Sequence, residues 1–314
     1  MTKEPTPRTH RKRRALGCLA SGSAILLLLP AACRLLGTDD GGMISEAALE
    51  WAEAHPEYFA TREGIHAAFA GPEDAEVTLF VVHGSPGNWS AGLPYLENES
   101  LVADTRVIAF DRPGYGKSGA GETVGSLAEQ AARLATWAED RPGRKLWLGH
   151  SFGAPIIARL AIDRPDLVDG LILSAGAMNP DLEQPRWFHH LGDTLAGRYV
   201  LNAEWTVTNQ ECLAFADELA VLAPRLNEIA CPVFILHARD DALADFRHAA
   251  WTADQVDHPD LVTVVPFDSG NHFILWNRVE DHLDAFRDWE TMTAPNSTHP
   301  DTGSHPIESP DPPD

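Results

Sequence analysis

The stretch KLWLGHSFG, residues 145–153, contains an apolar run that leads into the pattern Gly-x-Ser-x-Gly. Residues 145–150 are mostly apolar, as in a buried strand, and helical spacing of apolar residues starts near Phe152. A serine on such a strand-to-helix turn lies at the carboxyl end of the sheet, above the positive end of the helix dipole. Glycines on both sides permit the turn, because a side chain there would meet the neighbouring backbone. The context therefore indicates that Ser151 is a nucleophile.

Short apolar runs alternate with helical stretches on both sides of this turn. Six runs are predicted to be strands: Val77–His83, Arg106–Phe110, Lys145–His150, Gly170–Ala175, Pro232–His237 and Leu261–Phe267. Four stretches are predicted to be helices: Ser126–Asp140, Gly153–Asp163, Ala244–Gln255 and Val279–Trp289. This alternation predicts the α/β class, with a mostly parallel central sheet and helices on both faces.

One connection, from about residue 176 to 228, is much longer than its neighbours. Connections between strands and helices usually contain roughly 2–6 residues. The segment is amphipathic and carries aromatic residues such as Trp187, Trp205 and Phe215. It is therefore predicted to be a helical lid insertion, which packs its apolar face on the body and helps to form a pocket for the acyl or alcohol part of a substrate.

A serine hydroxyl needs a base within hydrogen-bond reach, and that base needs an orienting group. His272 follows the last predicted strand, and Asp240 and Asp241 follow the strand before it. Parallel strands bring these loops to the same edge of the sheet as Ser151. The order serine, acid, histidine along the chain is that of one known arrangement of the catalytic triad. Spacing alone leaves open which of the two aspartates is the acid.

Together with HGSPG at residues 83–87 and DRPGYGKS at residues 111–118, these motifs resemble the α/β-hydrolase fold family of the serine-nucleophile type, from roughly residue 63 to 289. The resemblance is to esterases and lipases, and the HGxPG loop is similar to that of proline iminopeptidases. It implies a serine hydrolase that acts on a carboxylic ester or related small acyl substrate through a Ser-Asp-His triad and an acyl-enzyme. It implies no cofactor and no metal.

The family pattern also suggests roles for particular residues. The acid is commonly the last residue of Gly-x-x-Asp, and ARDD at residues 238–241 fits with alanine in place of glycine. This selects Asp241 and leaves Asp240 as a solvated neighbour. An oxyanion hole needs backbone N–H donors. Pro86 has none, so the donors are expected to be the N–H groups of Ser85 and Phe152.

Three alternatives stay open at this point. The chain could be a proline-iminopeptidase-like enzyme, although such enzymes usually have glycine where Ser85 stands. It could be a carbon–carbon bond hydrolase, which uses the same triad. It could also be a catalytically silent binding module with the hydrolase fold. Labelling of the serine by a fluorophosphonate separates the last alternative from the others.

The charge is unevenly distributed. The formal net charge of −22, from 46 acidic and 24 basic residues, argues against nucleic acid as a partner. Basic residues cluster before an apolar run at 15–32, which is typical of a signal peptide or membrane anchor. Cys33 follows small residues, similar to a lipoprotein signal site, but Pro30 stands where leucine is usual. Lipidation at Cys33 and an uncleaved anchor both predict a membrane-associated or exported protein of the bacterial cell envelope, with its catalytic body outside the cytoplasm.

The chain is thus expected to have three parts. Residues 1–40 form the signal or anchor, residues 41–290 form the hydrolase domain with its lid, and residues 291–314 form a disordered acidic tail with almost no apolar residues. Cys212 and Cys231 could pair in an oxidising compartment, and the sequence does not decide whether they do.

Overall fold

In the computed structural model, which describes residues 44–256 and 258–294, the apolar runs form one eight-stranded sheet in the order β1-β2-β4-β3-β5-β6-β7-β8. The strands are β1 Phe59–Arg62, β2 Ile65–Ala70, β3 Val77–Val82, β4 Thr105–Phe110, β5 Arg144–His150, β6 Gly170–Ser174, β7 Val233–Ala238 and β8 Val262–Phe267. The pairs β1–β2 and β2–β4 are antiparallel, and the other pairs are parallel. The predicted mostly parallel sheet is confirmed.

Helices cover both faces of the sheet. They are α1 Glu46–Ala54, α2 Leu93–Leu96, α3 Glu99–Val102, α4 Leu127–Ala135, α5 Gly153–Asp163, α6 Trp187–Gly192, α7 Leu195–Val200, α8 Ala203–Leu222, α9 Arg247–Gln255, α10 Ile274–Asn277 and α11 Val279–Thr293. Alternate strand residues point to opposite faces, so Phe80 joins the buried cluster under α4 and α5 while Leu79 joins the cluster under α1 and α11. The two clusters confirm the predicted layers of helix, sheet and helix.

The structure adds elements at the amino-terminal side that the sequence prediction omitted. Helix α1 and the hairpin of β1 and β2 precede the first predicted strand. The hairpin turns at Glu63 and Gly64, which both have positive φ. The sequence does contain a glycine between two short runs, FATR and IHAAFA, as a hairpin would. The first run was not predicted to be a strand because only two of its four residues are apolar.

The long connection between β6 and β7 contains α6, α7 and α8 within residues 176–228, hereafter the insertion. Trp205 and Phe215 lie on α8, and Phe215 is buried. Helix α11 runs on to Thr293, past the predicted boundary at residue 290. The Thr293 hydroxyl donates to the Trp289 carbonyl at 2.8 Å and accepts from Arg144 at 2.7 Å, which holds this last turn.

The predictions for the signal or anchor at residues 1–40, for Cys33 and for the tail beyond residue 294 lie outside the described residues. Among the helices of residues 44–256 and 258–294, none combines the length and the apolar character needed to cross a bilayer.

Candidate active site

Ser151 stands on a strained turn between β5 and α5. Its φ is +52°, a value that non-glycine residues rarely adopt. Its N–H donates to the Ser174 carbonyl at 2.9 Å, at the end of the neighbouring strand β6. Strain of this kind persists only where the surroundings hold it, and it is commonest at functional sites. The turn presents the side chain at the carboxyl edge of the sheet.

The glycines of this turn are required by close backbone contacts. A Cβ atom at Gly153 would lie 2.3 Å from the Val82 carbonyl oxygen, and one at Gly149 would lie 2.6 Å from the Gly153 carbonyl oxygen. The prediction that side chains at these positions would meet the backbone is confirmed. A Cβ atom at Gly84 would lie 2.9 Å from the Cβ of Ser151, so the HGSPG loop lies directly beside the serine.

His272 and Asp241 come together at the same sheet edge. Asp241 follows β7, and His272 lies in a short helical turn, Asn271–Phe273, after β8. The His272 Nδ1 atom is 2.8 Å from Asp241 Oδ2, and both residues are buried. The bond leaves Nε2 of the ring to face a reacting group. This is the contact that a triad acid makes with its histidine.

The surroundings of Asp241 stabilise its ionised form. Its Oδ1 atom accepts from the N–H groups of Leu243 at 2.8 Å and Ala244 at 2.9 Å. Burial alone would raise the pKa of Asp241, but hydrogen bonds from His237, His272 and the backbone hold the pKa well below its ordinary value. The carboxylate is therefore charged at neutral pH, as an orienting group for an imidazolium must be.

Asp240 makes hydrogen bonds that were not predicted from the sequence. Its Oδ1 atom accepts from the N–H groups of Gly270 at 3.0 Å and Asn271 at 2.8 Å. The carboxylate is exposed to solvent, as expected, and it also holds the backbone of the loop that carries His272. It makes no contact with the imidazole among the bonds of the described residues.

His150 holds the histidine loop from the other side. Its Nε2 atom donates to the His272 carbonyl at 2.9 Å. Burial and the neighbouring His272 lower the pKa of His150 to about 3, so its ring is neutral. Within the described residues, no hydrogen bond joins Ser151 Oγ to His272. Such bonds are often loose until a substrate binds.

The two expected oxyanion donors flank the serine. Phe152 directly precedes the first residue of α5, and Ser85 follows Gly84 in the adjacent loop. Neither N–H has a backbone acceptor among the turn and loop bonds of the described residues. Their position beside Ser151 is the one that donors to an oxyanion need.

Residues 77–227 match the family described as alpha/beta hydrolase fold. The monoacylglycerol lipase of Paleococcus ferrophilus has the same architecture, with a TM-score of 0.58 and 20% identity over 72% of this chain and 97% of that one. The chain has the α/β-hydrolase fold. The predicted resemblance is confirmed at the level of the fold.

Curated relatives that match part of this chain include two named hydrolases. A pimeloyl-[acyl-carrier protein] methyl ester esterase of Edwardsiella ictaluri is 37% identical over 115 residues, which cover 36% of this chain and 40% of the relative. A lysophosphatidylserine lipase of Danio rerio, ABHD12, is 29% identical over 147 residues, which cover 45% of this chain and 37% of the relative. The chain thus matches about two fifths of the length of these relatives.

A buried ion pair that was not predicted from the sequence lies beside the candidate active site. Arg112 and Glu211 are both fully buried, and Arg112 Nη1 is 2.7 Å from Glu211 Oε1. Arg112 belongs to the DRPGYGKS turn and Glu211 to α8 in the insertion. The sequence did indicate that Glu211 is buried. It lies four residues after Val207 and four before Phe215, which are both buried, so it is on the apolar face of its helix.

A cavity of about 160 Å³ lies between the insertion and the active-site loops. It is bordered by Ser85 of the oxyanion loop and by Leu243, two residues after Asp241. The exposed surface of the cavity is largely apolar. The remaining lining residues come from the insertion: Arg186, Phe188, His189, Leu201, Trp205, Thr208, Asn209 and Cys212. No aspartate or glutamate is among these lining residues.

The two cysteines of the described body are unpaired. Cys212 and Cys231 are both free, so the pairing left open by the sequence is not formed. Burial raises the pKa of each thiol to about 12, so both are protonated at neutral pH. In the part of the chain that the structure describes, no group of three His, Cys, Asp or Glu side chains is placed to hold a metal ion.

Proposed function

We propose that the protein hydrolyses carboxylic esters through a triad of Ser151, His272 and Asp241. The observation that carries this proposal is the 2.8 Å contact between His272 Nδ1 and the buried carboxylate of Asp241, at the sheet edge where Ser151 stands on its strained turn. Two named hydrolases among the relatives support the same reaction class.

The first half of the reaction acylates the serine. Ser151 Oγ attacks the ester carbonyl carbon while its proton passes to His272 Nε2, and Asp241 stabilises the imidazolium. The carbonyl oxygen becomes an oxyanion that accepts from the N–H groups of Ser85 and Phe152. The C–O bond to the alcohol then breaks, and the alkoxide takes the proton from His272 as it leaves.

The second half returns the free enzyme. His272 Nε2 takes a proton from a water molecule, whose oxygen attacks the acyl carbon on Ser151. A second oxyanion forms in the same hole. Its collapse breaks the bond to Ser151 Oγ, which recovers a proton from His272, and the carboxylic acid is released.

The cavity under the insertion supports a small apolar acyl group. A cavity of about 160 Å³ is close to the size of an engineered apolar cavity of about 150 Å³ that holds a benzene molecule. Its largely apolar lining stabilises a hydrocarbon group by removing it from water.

Labelling with a fluorescent fluorophosphonate tests the proposed reaction. We expect the wild-type protein to be labelled stoichiometrically and to release p-nitrophenol from p-nitrophenyl butyrate. The Ser151→Ala variant should show neither property, because the probe phosphonylates only an activated serine. Equal labelling of wild type and Ser151→Ala, or no labelling of folded wild type, would show that Ser151 is not a catalytic nucleophile.

A substitution within the cavity tests the acyl site. Leu201→Trp should fill part of the space and lower kcat/KM for p-nitrophenyl butyrate at least tenfold relative to p-nitrophenyl acetate, since pocket discrimination of methylene groups is worth about 10- to 200-fold. Leu195 belongs to the same insertion but is 91% exposed and does not line the cavity. Leu195→Trp is thus the matched control and should leave the ratio unchanged. An unchanged ratio in a folded Leu201→Trp variant would exclude this cavity as the acyl site.

A further inference from the structure

The peptide between Gly84 and Ser85 is held firmly on its carbonyl side. Arg112 Nη2 donates to the Gly84 carbonyl at 3.0 Å, and His83 Nδ1 donates to the same oxygen at 2.7 Å. The proton of His83 is on Nδ1, because Nε2 accepts from the Arg112 N–H at 3.0 Å. A trans peptide unit is planar, so its carbonyl and its N–H point in opposite directions. Two bonds to the Gly84 oxygen therefore also set the direction of the Ser85 N–H.

Arg112 is in turn held by Glu211. The guanidinium forms a two-pronged pair with the carboxylate, at 2.7 Å from Nη1 to Oε1 and 3.1 Å from Nη2 to Oε2. Gln130 donates to Oε1 at 3.0 Å, and the Tyr115 hydroxyl donates to Oε2 at 2.6 Å. Burial disfavours the charge on Arg112, but the Glu211 carboxylate raises the pKa of Arg112 above its ordinary value. The Arg112 guanidinium is therefore charged, and its hydrogen bonds fix its direction.

The side chain of Ser85 joins the same network. Arg112 Nη2 donates to Ser85 Oγ at 2.6 Å, and Ser85 Oγ donates to Glu211 Oε2. Arg112 also lies over the ring of Phe152, 4.9 Å from Cζ to the ring centre, and that ring stacks on Phe215 of α8. Helix α8 thus contacts both segments that carry the expected oxyanion donors.

We propose that Glu211 is a positioning residue that acts through Arg112 to aim the Ser85 N–H at the oxyanion, so that the oxyanion hole is complete only when α8 is seated. The inference rests on the proposed function, since it assumes that Ser85 donates to an oxyanion. Two donors on the Gly84 oxygen also polarise the peptide, which strengthens the Ser85 N–H as a donor. A pair with a merely structural role would change stability and leave transition-state binding alone.

The test removes the pair without leaving a buried charge. In Arg112→Met/Glu211→Met both charges are replaced by apolar side chains, a change that buried ion pairs often tolerate. We expect kcat for p-nitrophenyl butyrate to fall about 10- to 100-fold, less than the roughly 10²- to 10³-fold loss for a deleted oxyanion donor. KM should change less than threefold. The inhibition constant of an alkyl trifluoromethyl ketone, which forms an oxyanion on Ser151, should rise by the same factor as kcat falls.

Arg112→Lys is the second variant, in case the double variant does not fold. It keeps the positive charge beside Glu211, but the single ammonium group of lysine cannot donate to both the carboxylate and the Gly84 oxygen as the planar guanidinium does. Arg225→Met/Glu228→Met removes a partly exposed ion pair elsewhere in the insertion and should behave as wild type. Thermal unfolding monitors the fold of each variant.

The outcomes separate this inference from the proposed function. A fall in kcat matched by weaker trifluoromethyl ketone binding, in either folded variant, supports it. Wild-type kinetics and inhibition in both variants would overturn it while leaving the ester hydrolase intact. A wild-type protein that neither turns over the ester nor labels at Ser151 would overturn the proposed function and the inference together.

Discussion

Replacement of His272 by alanine is expected to lower kcat for p-nitrophenyl butyrate by about four to six orders of magnitude, the range seen when a member of a catalytic triad is removed. Without the imidazole, the variant has no base among the described residues that is placed to take the serine proton and return it to the leaving alkoxide. His150 does not substitute, because its Nε2 atom is bonded to the His272 carbonyl and its low pKa, about 3, makes it a weak base. Initial rates at saturating ester check the prediction.

Two further variants serve as controls for the His272→Ala experiment. Ser151→Ala/His272→Ala should be no slower than either single variant, because triad members act as a unit. His190→Ala removes an exposed histidine of the insertion that does not line the cavity, and it should keep wild-type rates. A folded His272→Ala protein with kcat within tenfold of wild type would mean that another group is the base.

Replacement of Asp241 by asparagine is expected to lower kcat by about 10⁴-fold, the cost of placing an amide behind a triad histidine. The carboxylate accepts from His272 Nδ1 at 2.8 Å and from the N–H groups of Leu243 and Ala244. An asparagine whose oxygen keeps the two backbone bonds turns its NH₂ group toward His272. The imidazole then favours the tautomer protonated on Nε2, which cannot accept the serine proton.

Asp240→Asn is the matched control for that change. Asparagine retains an oxygen that can accept from Gly270 and Asn271, so the histidine loop keeps its anchor. We expect less than a tenfold fall in kcat. The assignment of the acid would be reversed if Asp240→Asn were crippling and Asp241→Asn were mild. Steady-state kinetics of the two variants in parallel settle the choice.

Local signals explain what the sequence could predict. The turn at Ser151 was predictable because a strand, two glycines and a helix follow each other within a few residues, and the sheet layers followed from regular alternation. The loops of Asp241 and His272 were predictable because parallel strands bring their carboxyl ends to one edge. The role of Asp240 was not, since its partners lie 30 and 31 residues away in the backbone of another loop.

The ion pair of Arg112 and Glu211 could not be predicted from the sequence, because its members are far apart along the chain. Its members are 99 residues apart, and neither has a charged neighbour at helical spacing that would suggest the partner. A glutamate on the apolar face of α8 indicates that some buried cation must exist, but only the tertiary arrangement shows which one. The hairpin of β1 and β2 was missed for a simpler reason, because its first strand has only four residues and two of them are polar.

The burial of Glu211 limits attempts to change substrate range by exchanging the insertion with that of another protein of the α/β-hydrolase fold. A chimera that replaces residues 176–228 without an equivalent carboxylate leaves the Arg112 guanidinium uncompensated in the interior. Breaking a buried pair by removing one partner costs about 3–5 kcal/mol, which is a large part of the stability of a domain. The insertion therefore cannot be exchanged independently of the rest of the domain. A stable chimera needs either a carboxylate in the new insertion that pairs with Arg112 or an apolar residue in place of Arg112.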